Sequence, residues 1–200
     1  MSAPAPALNA KRTALLVMDY QSGTLASMPD QAGLDALLGR VEGAIADVRA
    51  HRGTIAYVRV AFTEAEWDAV PDTNKIFSAV AKRRAMHHED PATAIHERLT
   101  PQDGDIVVRK IRIGAMSTTD LDQQLRERAI TTLVITGIST SGVVLSTVIE
   151  AADRDYQVYV LSDGVADRNP EAHNVLLHQV FPLRAHVIDT SELRTLLQED

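Results

Sequence analysis

Apolar runs that do not alternate with polar residues constrain this chain more than any other feature. The run at 13–19 reads TALLVMD, and others lie at 54–60, 105–108, 131–136, 157–161 and 185–188. A strand with apolar side chains on both faces has to be covered on both, and the intervening stretches supply the cover. Residues 34–52 place Leu34, Leu37, Leu38, Val41, Ile45 and Val48 at helical spacing, and Gly53 then suits a helix C-terminal cap. Helices are likewise expected over 119–128 with Thr118 or Thr119 as cap, over 143–154, over 171–180 behind Pro170, and from Ser191 onward. Strands separated by helices imply right-handed crossovers. The expected fold class is therefore α/β, a three-layer α/β/α domain with a six-stranded, mainly parallel sheet of Rossmann-like topology.

The chain has 200 residues, enough for one self-supporting core, and no composition shift divides it. The domain is expected over 13–200. Residues 1–12, rich in Ala and Pro, read as a flexible lead-in without the basic and apolar regions of a signal peptide. No stretch approaches the roughly 20 apolar residues of a membrane helix, so the expected compartment is the cytoplasm. With 20 Lys+Arg against 27 Asp+Glu, the net charge of -7 argues against nucleic acid or an anionic membrane as partner. The absence of cysteine removes disulfides, thiolate nucleophiles and cysteine-based zinc sites.

In open α/β sheets, ligands bind beyond the carboxyl ends of the strands. That rule selects Asp19 and Gln21, Arg59 to Phe62, Lys110, the stretch 137–142 and Asp163. Asp19 at a strand end suits general acid/base work, though a turn-capping role would also place an Asp there. Lys110 ends another buried run, where an ammonium requires a carboxylate or an anionic ligand; a solvated strand end is the plainer alternative. The stretch GISTSG at 137–142 joins a strand to a helix, where backbone N–H groups favour an anion or oxyanion. It lacks the Lys-Ser/Thr pair of a phosphate-binding loop and the closing glycine of a nucleophile elbow. Phe62, Trp67 and Phe77 are available as an apolar wall of a site, as ordinary packing or as a subunit contact. His87, His88, Glu89 and Asp90 resemble a metal cluster on paper, but adjacent side chains diverge on a helix or strand, so the stretch reads as a solvated polar segment and no metal is expected. His173 and His178, five apart in one expected helix, share no face.

Taken together, these segments resemble the isochorismatase-like hydrolases, also called the cysteine hydrolase family. LVMDYQ at 16–21 resembles the family's first-strand motif, VRK at 108–110 with Ala115 and TDL at 119–121 its lysine motif, and TGIST at 136–140 its nucleophile loop. AAD at 151–153 and VLSDG at 160–164 match the family's segments beyond that loop, and the likeness runs from about Thr13 to Ile188. The resemblance implies a parallel six-stranded sheet between helices and a triad of Asp, Lys and Cys. Asp19 would be the general acid/base and Lys110 its electrostatic partner. The cysteine position falls on Val143, and the family's cis peptide on Ile138-Ser139. Gln21, Phe62, Trp67, Ile138, Ser139 and Gly142 would contact the substrate. No cofactor is implied; a small-molecule substrate and a homodimer or homotetramer are.

Valine cannot attack a carbonyl, so the thioester route is closed. Family members acting on isochorismate carry glycine there and use the aspartate directly on a vinyl ether. The reading is a hydrolase of a small metabolite without a thiol nucleophile. The alternative is an inactive small-molecule-binding or structural member of the same fold. Ser139 or Ser141 as nucleophile is weaker, because no histidine is placed by spacing to activate either.

Overall fold

The computed structural model describes residues 6–198. Six strands, β1 (Thr13–Met18), β2 (Thr54–Val60), β3 (Ile106–Lys110), β4 (Thr132–Ile138), β5 (Gln157–Ala166) and β6 (His186–Ile188), form one sheet in the order β3-β2-β1-β4-β5-β6, every pair parallel. The helices are α1 (Ser22–Ala26), α2 (Gln31–Ala50), α3 (Glu64–Asp68), α4 (Phe77–Lys82), α5 (Leu121–Glu127), α6 (Leu145–Ala152), α7 (Pro170–Val175) and α8 (Thr190–Gln198).

Every residue of β1 is buried. Leu15 and Val17 pack with Leu37, Val41 and Val48 of α2 and Leu193 and Leu197 of α8. Leu16 and Met18 pack on the opposite face with Leu121 and Leu125 of α5 and Val144, Val148 and Phe181. That two-sided cover is what the unalternating apolar runs require. A smaller cluster of Val60, Phe62, Trp67 and Phe77 sits beyond the end of β2, under α3 and α4.

The sheet departs from local expectation in several places. Residues 1–5 of the expected lead-in lie outside the described residues; within 6–12, Leu8 and Ala10 are buried and the Tyr159 hydroxyl donates to the Pro6 carbonyl, while the other residues are exposed. The strand expected over 105–108 runs on to Lys110, and that over 157–161 continues to Ala166 through a register shift opposite Ile135 and Gly137. Helix α2 starts early because the Asp30 carboxylate accepts from the Gly33 N–H. At its other end the left-handed residue is Arg52 (φ 64), not Gly53. Gly53 is needed for a different reason: its N–H closes on the Val48 carbonyl, and a Cβ there would lie 2.5 Å from Val48 Cγ1. The helix expected over 143–154 grows out of a wider π-type turn at Thr140–Val144, and that over 171–180 ends in one at Leu176–Val180.

The chain reverses its direction of winding between β1 and β4, which are neighbours in the sheet but lie far apart in sequence. A crevice at that switch point is where this class of sheet binds ligands.

Candidate functional site

Asp19 is the first residue beyond β1. Its backbone is left-handed (φ 59) and its N–H donates to the Val58 carbonyl at 2.8 Å, which turns the side chain out of the strand's course. Lys110, the last residue of β3, reaches across and places Nζ 2.8 Å from Asp19 Oδ2. Both residues are buried, Asp19 6% and Lys110 2% exposed. The remaining Lys110 N–H groups donate to the carbonyls of Arg112 (3.2 Å) and Ile113 (3.0 Å), so all three of its donors are engaged. Asp19 is less complete: Oδ1 is buried and has no hydrogen-bond partner among the described residues. Burial pushes its carboxyl above the ordinary aspartate value, and the opposing attraction and hydrogen bond of Lys110 do not cancel that rise. A buried carboxyl with one oxygen held and the other free is a group able to exchange a proton with a molecule placed against Oδ1.

The loop after β4 emerges beside Asp19, because Met18 and Gly137 are partners in the sheet. Gly137 is required by crowding: a Cβ would lie 3.0 Å from the Met18 carbonyl oxygen and 3.2 Å from Val144. The Ile138-Ser139 peptide is cis. Ser139 accepts through its carbonyl from the N–H groups of Gly142 (3.1 Å) and Val144 (3.3 Å), folding the loop into the head of α6. Val143 is buried within the apolar cluster on the α6 face, and Ile138 within the cluster on the α2 face.

Two residues expected to contact a ligand are spent elsewhere. Gln21 donates to the carbonyls of Val60 (2.9 Å) and Thr93 (2.8 Å) and accepts from the Val60 N–H (2.9 Å). Both of its amide donors are used, so Gln21 ties the end of β2 to the segment at 93 rather than offering itself to a substrate. The Trp67 indole N–H donates to the Ala85 carbonyl, and its ring packs against His87 and under the Arg84 guanidinium. Phe62 is fully buried, 5.7 Å from the Phe77 ring. Asp163 accepts from the backbone and hydroxyl of Thr190 and holds the start of α8.

Other residues gain a role that their spacing does not announce. His173 of α7 meets the Thr140 hydroxyl at 2.8 Å, and Asp167 accepts from the Ser141 N–H. Burial lowers the His173 pKa against the attraction of Asp167. Burial works to raise the Asp167 carboxyl, but hydrogen bonds from Asn169 and Ser141 outweigh it and leave the carboxyl below its ordinary value. The histidine therefore braces the loop through Thr140, and neither serine has it as a partner among the described residues. Only the Asn169-Pro170 start of α7 is visible locally; the reach from 173 to 140 is tertiary.

Residues 13–192 match the Isochorismatase domain. The chain is 33% identical over 172 residues to the uncharacterised isochorismatase family protein YwoC of Bacillus subtilis, covering 86% of this chain and 87% of that protein. It is 30% identical to the ureidoacrylate amidohydrolase RutB of Methylobacterium radiotolerans, covering 96% and 81%. The crystal structure of a cysteine hydrolase from Pseudomonas syringae pv. phaseolicola superposes with a TM-score of 0.87 at 23% identity, covering 100% and 99% of the two chains.

Proposed function

The chain belongs to the isochorismatase family, and from that premise we propose that it hydrolyses a small metabolite without a thiol, with Asp19 as general acid/base and Lys110 as its electrostatic partner. One observation carries this reading: Asp19 Oδ1 is buried and unpartnered among the described residues while Oδ2 is held by Lys110. Burial keeps the Asp19 proton to higher pH than an exposed aspartic acid would.

Val143 stands at the position of the family's usual cysteine, and the chain has no other thiol. The chemistry left open is acid-assisted cleavage of a vinyl ether. The Asp19 proton goes to the enol carbon, the resulting oxocarbenium ion takes up water, and a proton returns to Asp19. The hemiketal then collapses to a carbonyl compound and an alcohol. Lys110 compensates the carboxylate charge once the proton has left. Ser139 and Gly142 border the substrate from the loop after β4, and Phe62 backs it from the end of β2. Valine fills more space than glycine, which disfavours a substrate as bulky as isochorismate. The amidohydrolase relative supports small-molecule hydrolysis as the reaction class.

Val143 and the closed burial of Asp19 also favour a second reading, binding without turnover. A panel of vinyl ethers and small amides separates the two. The hydrolase reading expects turnover of a vinyl ether that falls about 10²-fold or more in Asp19→Asn. Melting shifts with no product support binding alone, and a fully active Asp19→Asn variant overturns the assignment of the acid.

A further inference from the structure

The segment around 86–90, well after β2 in sequence, is bound back to the end of that strand. The Phe62 N–H donates to the Met86 carbonyl and the His88 N–H to the Phe62 carbonyl, so His87 lies in a short bridge with Phe62. Met86 is left-handed (φ 62) and the chain turns again at once, the Asp90 N–H closing on the His87 carbonyl. Neighbouring side chains diverge on a regular helix or strand, but this segment is neither. The rings of His87 and His88 lie 4.6 Å apart. One ligand atom from each of His87, His88 and Glu89 falls within 4.8 Å of the others.

A fourth group arrives from a different element. Glu64, at the start of α3, brings Oε1 to 3.2 Å from His87 Nε2. That nitrogen is shut off from solvent, and the Glu64 carboxylate is the partner it faces. A buried imidazole nitrogen facing a carboxylate oxygen, beside a second carboxylate and a second imidazole, is a set of electron-pair donors gathered in one place. Of the cations nearby, Arg84 is committed to Asp68 at 2.7 Å and to the face of Trp67, and Arg59 donates to the carbonyls of His88 and Thr93.

We propose that His87, His88, Glu89 and Glu64 form a binding site for one divalent transition-metal cation. Two imidazoles with carboxylates suit Zn²⁺, Ni²⁺, Co²⁺ or Cu²⁺ better than the all-oxygen preference of Mg²⁺ or Ca²⁺. Such an ion bridges α3 to the 86–90 turn and so fastens the turn that holds Phe62 at the end of β2. None of the four residues belongs to the Asp19–Lys110 pair, so metal binding is measured without a substrate.

Trp67 is the chain's single tryptophan, and its ring centroid lies 5.4 Å from that of His87, so it reports on the site directly. Untagged protein is titrated with Zn²⁺ by calorimetry and with Ni²⁺ by Trp67 emission. The expected result is saturation at one Zn²⁺ per chain, saturable quenching by Ni²⁺, and a higher melting temperature with Zn²⁺. His88→Ala with Glu89→Gln weakens both metals by at least the roughly 10–100-fold that loss of an outer-shell partner costs. Glu64→Gln, at an exposed side chain, weakens them too and serves if the double variant loses its native circular dichroism. Absence of saturable binding in the wild type, or equal binding in folded variants, overturns the proposal.

Discussion

Replacing Lys110 with methionine keeps most of the side-chain volume and removes only the ammonium. It leaves the buried Asp19 carboxyl without its counter-charge and strips the carbonyls of Arg112 and Ile113 of a donor. Breaking a buried ion pair from one side costs about 3–5 kcal/mol, and the two part-buried carbonyls, open to some solvent, add less than the roughly 1 kcal/mol of a fully buried orphan each. Against a typical total stability of roughly 5–15 kcal/mol, the variant is marginal but measurable. The pH dependence identifies the cause. Asp19 already has a raised pKa in the native protein, because burial outweighs Lys110. Its folded form therefore binds a proton more tightly than its unfolded form. Stability from this group is fully present below the unfolded value and falls as pH rises toward the folded one. In Lys110→Met the contributions that lower the pKa are gone, so this decline continues to higher pH, at about 1.4 kcal/mol per pH unit. Urea unfolding at pH 5 and pH 8 should show a penalty that is larger at pH 8. Adding Asp19→Asn to the variant should remove that pH dependence, since no carboxyl is left to ionise. A penalty below about 1 kcal/mol, or one equal at both pH values, would refute the claim that an uncompensated buried carboxyl sets the cost.

The geometry fixes two further outcomes. Glu66 accepts two hydrogen bonds from Arg109 and one from the Thr63 N–H, and the Arg109 bond leads the effects that hold its pKa down at about 2. Glu66→Gln should cost about 1–2 kcal/mol at pH 7 after allowance for partial exposure, a loss that fades as pH falls from the ordinary carboxylate range toward about 2, tracked by chemical denaturation across that window. Val143→Cys is nearly volume-conserving at a buried position at the head of α6 and should change stability by less than about 1.5 kcal/mol. Iodoacetamide labelling at pH 7 should then find a thiol slower to react in the fold than in the unfolded variant, because burial in an apolar cluster disfavours the thiolate, while faster labelling in the fold would show that the position opens to the site as a nucleophile would.

Much of the fold is legible in local pattern. TALLVM at 13–18 cannot be a one-sided strand, and its residues do divide between two helical layers. The same logic places Asp19 directly after the apolar run of β1 and Lys110 two residues after the last valine of β3, at the carboxyl ends of their strands. Local pattern is weaker where the backbone is irregular. The extension of β5 to Ala166 passes through the polar Ser162 and Asp163, which bond to Ile188 and Thr190 and so satisfy polar groups that read as a loop. Likewise, the divergence of His87 and His88 holds only for regular elements, and the turn that brings their rings together is set by the bridge to Phe62.

The layer architecture and the two charged residues that meet were encoded locally, since burial and periodicity are properties of neighbouring residues. Folding in three dimensions was needed to lay β4 beside β1, which sets the loop after Gly137 next to Asp19. It was needed too for Gln21 to spend its amide on Val60 and Thr93, for His173 to reach Thr140, and for Asp19 Oδ1 to be left without a partner among the described residues. Each of these depends on residues far apart in the chain, and no local spacing encodes which distant groups a closed core will leave paired or unpaired.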